Sequence, residues 1–246
     1  MLFRSCLFAV CAFAAGPLAA QEKINVPPAG YSLLFNGKDL TGWRGIPCRS
    51  APNKKNADAV AALTMPQRLS ASAEDLAKAQ ELGDKVAHAH WKVEDGVIVF
   101  DGAGQNLCTE KEYGDIEMFC DWKIKEKGDS GIYLRGSPQI QIWDPFTSPN
   151  YATGEQWGSG GVFNNKFATK DPLVMADKPI GQWNTFWIKM VGDRVTVKLN
   201  GITVADHVTM ENYWERDKPL YPKGTIELQN HGNTLYFRNI YIRELK

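Results

Sequence analysis

Asp129-Ser-Gly-Ile-Tyr-Leu-Arg-Gly-Ser-Pro-Gln-Ile-Gln-Ile-Trp-Asp144 reads as two short strands joined by Gly136-Ser137-Pro138. Side chains alternate across a strand. In the first run Ile132 and Leu134 therefore oppose Tyr133 and Arg135. In the second, Ile140 and Ile142 oppose Gln139, Gln141 and Trp143. Each strand has an aliphatic face to bury and a face of long polar groups and rings. A solvated face with no task carries Lys, Glu, Thr and Ser more often. Arg, Gln, Tyr and Trp together suit a face that grips a planar or hydroxyl-rich ligand.

The same alternation recurs on both sides of this pair. Between Asp115 and Ile124, Ile116, Met118, Cys120, Trp122 and Ile124 share one face, and Glu117, Phe119, Asp121 and Lys123 the other. Upstream, His90–Val93 and Val97–Phe100 flank the turn Glu94-Asp95-Gly96. Downstream, Trp183–Val191, Arg194–Leu199 and Ile202–Ala205 form a meander through Gly192-Asp193 and Asn200-Gly201. Thr225–Gln229 and Leu235–Glu244 complete the strands. Residues 46–89 differ in character: Ser72–Val86 is rich in Ala, Glu, Leu and Lys, with Ser72 as cap and Gly83 weakening its last part. Residues 145–182, rich in Gly, Asn and Pro, read as a long functional loop. The pattern predicts an all-β sandwich or jelly roll with a small helical insertion.

A length of 246 residues suits one domain with a substantial core. The formal net charge of zero gives no support to nucleic-acid or anionic-membrane binding. Residues 1–20 read as a cleavable export leader, with Arg4, the apolar run Leu7–Ala15, and Leu18-Ala19-Ala20 before Gln21. That stretch is too short, and too interrupted by Gly16-Pro17, to read as a membrane span, so a periplasmic or secreted location is expected. Its removal takes Cys6 and Cys11 and leaves Cys48, Cys108 and Cys120, of which Cys48 with Cys108 is the expected disulfide. No spacing resembles a zinc site, and His88-Ala-His90 reads as a helix end running into a strand.

The polar face suggests a sugar cleft. Trp143 could stack on a pyranose ring, Gln139 and Gln141 offer donors and acceptors to hydroxyls, and Arg135 offers a fork of donors. Asp144 is a carboxylate for proton work or the cap of the Pro145 turn. Asp129 before Ser130-Gly131 reads as turn chemistry. Asp121 and Glu117 point toward the cleft or solvent. Glu227 and Gln229 share a face of a late strand, with the imidazole of His231 two residues beyond. Ordinary glycoside hydrolysis needs two carboxyl groups flanking one bond. Gln139-Ile-Gln141-Ile-Trp143 lacks that pair. No Ser-His-Asp elbow, P-loop or dinucleotide fingerprint is present.

Several ordered blocks resemble one family. Gly30-Tyr-Ser-Leu-Leu-Phe-Asn-Gly-Lys-Asp-Leu-Thr-Gly-Trp43, Trp91-Lys-Val-Glu-Asp-Gly-Val97, Ser130-Gly-Ile-Tyr-Leu-Arg135, Gln141-Ile-Trp-Asp144, Gly160-Gly-Val-Phe-Asn164 and Glu227-Leu-Gln-Asn-His-Gly232 are similar to those of the 3-keto-disaccharide hydrolase domain. The resemblance runs from Gly30 to the C-terminus, the insertion excepted. It implies a concanavalin A-like jelly roll acting on sugars oxidised at C3, through 3-keto-glucoside 1,2-lyase and 3-keto-2-hydroxy-glucal hydratase steps. On that pattern Asp144 or His231 would be base and acid, and Arg135 or a divalent cation would steady the enolate oxygen. Tyr133, Gln139, Gln141, Trp143, Asn164, Glu227, Gln229 and Asp121 would hold the carbohydrate. The family pattern carries Glu where this chain has Gln139. A carbohydrate-binding, lectin-like domain on the same fold is the alternative.

Overall fold

A β-sandwich is decided by where its alternating apolar faces meet. In chain order the strands are β1 (Ser32–Leu33), β2 (Trp43–Gly45), β3 (Cys48–Ser50), β4 (Val60–Ala62), β5 (Trp91–Glu94), β6 (Val97–Phe100), β7 (Leu107–Thr109) and β8 (Ile116–Ile124). Then come β9 (Asp129–Tyr133), β10 (Gln139–Trp143), β11 (Asn184–Val191), β12 (Arg194–Leu199), β13 (Ile202–Thr209), β14 (Glu227–Leu228) and β15 (Leu235–Glu244). Helices α1 (Met65–Ser70) and α2 (Ala73–His90) lie between β4 and β5. A computed structural model describes residues 23–52, 56, 59–147 and 149–246. The leader expected over residues 1–20, with Cys6 and Cys11, lies outside the described residues, as do residues 53–55 of the insertion.

Apart from β3 and β4, which pair with each other, the strands make the two antiparallel sheets of a jelly-roll sandwich. The larger runs β13-β12-β11-β8-β15-β6-β5, with β1 alongside β15, and the smaller runs β10-β9-β14-β7-β2. Ile116, Met118, Cys120, Trp122 and Ile124 of β8 enter one core with Phe186, Ile188 and Met190 of β11 and Phe237 and Ile242 of β15. From the smaller sheet, Leu107, Ile132, Ile140, Ile142 and Leu228 close against them. Each such side chain contributes about 1.5–3 kcal/mol by leaving water. That driving force selects the register, because a one-residue slip would turn the opposite face inward.

The insertion is more than a helix on the surface. It begins with the β3–β4 hairpin, and α1 starts at a capping box in which Thr64 and Gln67 satisfy each other's backbone N–H. Helix α2 extends to His90, beyond the expected Val86, and β5 starts only at Trp91. Gly83 is a crossing point rather than a weakness. A Cβ added there would lie 2.2 Å from the Ile46 carbonyl oxygen, and one on Gly45 would lie 1.9 Å from that of Gly83. Backbone therefore meets backbone, and α2 crosses the end of β2. Gln80 Nε2 donates to the Gly45 carbonyl at 2.8 Å, and Asp84 Oδ1 accepts from the Gly45 N–H at 3.0 Å.

The expected Cys48–Cys108 disulfide is corrected: Cys48, Cys108 and Cys120 are all free thiols. Cys48 and Cys108 belong instead to one small apolar cluster with Ile46, under Leu82 of α2. Burial pushes the Cys48 thiol up to about 11 and that of Cys108 to about 12. His90 Nδ1 lies 3.0 Å from Asp101 Oδ2, a contact at a helix end.

Candidate functional site

The outward face of the smaller sheet is a grid set by strand register. Gln139 of β10 stands opposite Tyr133 of β9, which stands opposite Glu227 of β14; Glu227 in turn faces Cys108 of β7, and Cys108 faces Arg44 of β2. In the next row Gln141 faces Gly131, whose carbonyl receives the Gln229 N–H at 2.9 Å. In the third, Trp143 faces Asp129. Helix α2 and the β3–β4 hairpin cover the β7–β2 end of this face. What remains is built from β10, β9 and the residues of and after β14.

Gly131 sits at the centre of that remainder. A Cβ there would come within 3.1 Å of Gln139 Cδ and of the Ile140 carbonyl oxygen. Its absence lets the two amides lie across the strand pair. Gln139 Nε2 donates to Gln141 Oε1, and Gln141 Nε2 donates to Asp129 Oδ1 at 2.8 Å. Gln139 Oε1 is buried with no hydrogen-bond partner, as is Gln229 Oε1. Buried orphan acceptors cost stability unless a ligand completes them.

Asp129 and His231 form the titratable centre. His231 Nδ1 lies 3.0 Å from Asp129 Oδ2, with the imidazole 58% exposed and the carboxylate 26%. Burial raises the Asp129 carboxyl, while His231 and the Gln141 amide pull it down and Glu155 pushes it up. The Asp129 backbone N–H donates to Asn233 Oδ1 at 3.1 Å, tying the strand to the turn that carries the histidine.

Tyr133 accepts a hydrogen bond from Gln229 Nε2 at 3.2 Å, so its own proton is not used in that contact. Burial, with Glu227 nearby, raises its phenol, which keeps it a neutral donor. Glu227 is buried. Its Oε1 accepts from Arg68 Nη2 at 2.9 Å and Thr225 Oγ1 at 3.0 Å, and Oε2 accepts from Asn106 Nδ2 at 3.3 Å. Asn106 Oδ1 also receives the Asn230 N–H at 2.9 Å, next to His231. Glu227 thus joins α1, β7 and the histidine turn.

Other expected residues lie elsewhere. Arg135 follows the end of β9 with a left-handed φ of 54°, which removes it from the alternation. Its guanidinium is buried against the carbonyls of Gly192 and Tyr221 and the carboxylate of Asp115. Asp144 is a turn anchor: Oδ2 accepts the Lys127 N–H at 2.8 Å, and Oδ1 those of Phe146 and Thr147 at 2.8 and 3.0 Å. Burial alone would raise its carboxyl, yet these N–H groups hold it below its ordinary value.

Trp143 is buried, its indole N–H donating to the Gly158 carbonyl and its ring set edge-on to Phe163. Asp121 stands on the other sheet, accepting from Thr185 Oγ1 and Asn239 Nδ2 at 2.6 and 2.7 Å. Asn164 Oδ1 receives the Gln139 N–H at 2.8 Å at the edge of the face. The structure therefore brings Tyr133, Gln139, Gln141, Asn164, Glu227, Gln229 and His231 together. Asp129, Arg68 and Asn106 join them without having been singled out for the site. Hairpin register could have placed Asp129 beside Gln141; nothing local in the sequence places Arg68 over Glu227. Among the described residues no group of three or more His, Cys, Asp or Glu is arranged to hold a metal ion.

The fold is thus an antiparallel jelly roll with one sheet face given to amides, a phenol, an imidazole and carboxylates. The chain belongs to the family of 3-keto-alpha-glucoside-1,2-lyase-like domains, which it matches over residues 30–243. It is 22% identical to a 3-keto-disaccharide hydrolase of Bacteroides thetaiotaomicron, over 92% of this chain and 83% of that protein. A crystal structure from Parabacteroides distasonis, of a protein assigned as a glycosyl hydrolase, matches with a TM-score of 0.62 and 24% identity, covering 91% of this chain and 100% of that one. A second from the same organism, assigned likewise, has a TM-score of 0.58 and 26% identity over 89% of this chain and 85% of that one.

Proposed function

We propose that the protein is an exported enzyme that cleaves 3-keto-glycosides by elimination at C1 followed by hydration. The observation that carries this reading is the Asp129–His231 pair standing on a face of sugar-binding amides. Family membership and the name of the Bacteroides relative support the substrate class. Residues 1–20, whose sequence reads as a cleavable leader, support export.

A carbonyl at C3 acidifies the C2 hydrogen, so a single imidazole suffices as base. With Nδ1–H held by Asp129, His231 presents an unprotonated Nε2. That nitrogen takes the C2 proton, and the C–H electrons form the C2–C3 enolate. Tyr133 donates its proton to a hydrogen bond at the developing C3 oxygen. The enolate collapses to restore the ketone, forms the C1–C2 double bond and expels the C1 oxygen, which takes the proton from His231. Water then adds at C1 and a proton at C2, giving the free 3-keto sugar. Gln139, Gln141, Gln229 and Asn164 hold ring hydroxyls. In this scheme Asp144 shapes the turn, and Arg135 and Asp121 brace the scaffold.

Incubation with a 3-keto-glucoside in deuterium oxide tests the reading. Release of the aglycone with deuterium at C2 of the product, and no attack on the unoxidised glucoside, is the expected result. Cleavage of the unoxidised glucoside, or product without C2 deuterium, overturns it. Sugar binding without turnover would assign the face to a lectin-like module.

A further inference from the structure

A cavity of ≈ 430 Å³ lies beneath the insertion, between α1, the start of α2 and the end of the smaller sheet. Its walls are mostly apolar, with Pro47, Met65, Leu69 and Leu76 facing the guanidinium-bearing side chains of Arg44 and Arg68. Volumes of this size lie within the range of small-molecule sites. The start of α1 is fixed by the Thr64–Gln67 capping box and by Met65 lying against Gly136. The cavity is therefore a built feature of the fold.

The two arginines are not equivalent. Arg68 is nine-tenths buried and ion-paired with Glu227. Arg44 has no ion pair among the described residues; its neighbour across the strand is the thiol of Cys108. Nε of each is buried without an acceptor. Glu112 stands exposed at the rim, where water screens it. One cation is thus left over beside an apolar wall. Arg44 is half-buried, and a guanidinium matches a carboxylate through two parallel hydrogen bonds.

We propose that this cavity binds a small carboxylate with a flat apolar body, of the aryl-acid class, with its carboxylate on Arg44 and its ring against Met65 and Leu76. The site adjoins the Asp129–His231 face, with Arg68 common to both, and does not rest on the activity proposed for that face. Arg68 lines the cavity while holding Glu227 and so stands between the two.

Calorimetric titration of the full chain with benzoate, benzyl alcohol and inorganic phosphate tests the assignment. Benzoate is expected to bind saturably and the other two at least about tenfold more weakly, because each lacks one half of the match. Arg44→Gln should weaken benzoate by about tenfold or more. Ala77 lines the cavity from an exposed position of α2, so Ala77→Trp tests occupancy without disturbing the core. It should abolish binding. Absence of benzoate binding to the wild type, equal binding of benzyl alcohol or phosphate, or unchanged binding in Ala77→Trp would each overturn the proposal.

Discussion

The imidazole of His231, in the turn after β14, meets the carboxylate of Asp129, the first residue of β9, with Nδ1 and Oδ2 3.0 Å apart. More than a hundred residues of chain separate elements that the smaller sheet holds side by side, and the Asn233–Asp129 hydrogen bond fixes the approach. If this pair does the proton work, His231→Gln should lower kcat on a 3-keto-glucoside by about 10²–10⁴-fold, with unchanged thermal unfolding. Steady-state kinetics beside circular dichroism would check this, and a His231→Gln enzyme within tenfold of wild type would remove the histidine from the chemistry.

Asp129 trades stability for its position. Its carboxyl is raised chiefly by burial, so between its ordinary value and the raised one the native protein keeps a proton that the unfolded chain has lost. Its contribution to stability is therefore greatest at acid pH and declines as pH rises through that window. Asp129→Asn abolishes the titration, so the variant should gain on wild type in urea midpoint as pH goes from 4 to 7, while losing activity. A difference in midpoint that stays constant with pH would contradict this account.

Asp144 has the opposite sign. Its carboxyl is held low by backbone N–H groups, so its stabilisation is present above the ordinary carboxylate value and is lost as pH falls through the lowered one. Asp144→Asn removes one of the two acceptors and should cost about 1–3 kcal/mol at neutral pH. The loss should shrink in acid, and kcat of the folded variant should fall far less than in His231→Gln. A fall as large as that of His231→Gln would return Asp144 to the mechanism.

Gly83→Ala inverts the usual helix rule. An alanine inside a helix ordinarily gains about 1 kcal/mol over glycine. Here the new Cβ would sit 2.2 Å from the Ile46 carbonyl oxygen, and backbone on both sides blocks relief. A net destabilisation of about 1–3 kcal/mol in chemical denaturation is expected. A more stable variant would mean that α2 does not lie in contact with β2.

The thiols of Cys48 and Cys108, buried and raised to about 11 and 12, should be silent toward a thiol-modifying reagent in the native protein at pH 8. Both should react after denaturation with guanidinium. Rapid native labelling of either would show that the cluster beneath Leu82 opens.

The fold was legible because the apolar alternation of Ile116–Ile124 and Asn184–Val191 is regular and long, and that of Leu235–Glu244 is readable on either side of a bulge at Asn239. Leu107–Thr109 escaped notice because three residues are too few to show a period. Within the site, Gln139, Gln141 and Tyr133 could be placed on a common face from alternation alone. Arg135 could not, since one positive φ after Tyr133 breaks the rule. The carboxylates misled for a related reason: Asp144 and Asp129 both border turns, and only the register of β9 against β10 and the folding back of the His231 turn show which one meets an imidazole. Arg68 came from an insertion whose docking no local pattern encodes.

The contact of α2 with Gly45 has a consequence for how this chain can change. Strand β2 ends the smaller sheet, and an uncovered terminal strand invites another molecule to pair with it. Gln80 and Asp84 occupy the Gly45 carbonyl and N–H that such a newcomer would use. The insertion therefore acts as a guard against self-association. Removing the helices would expose that strand edge to pairing with another chain.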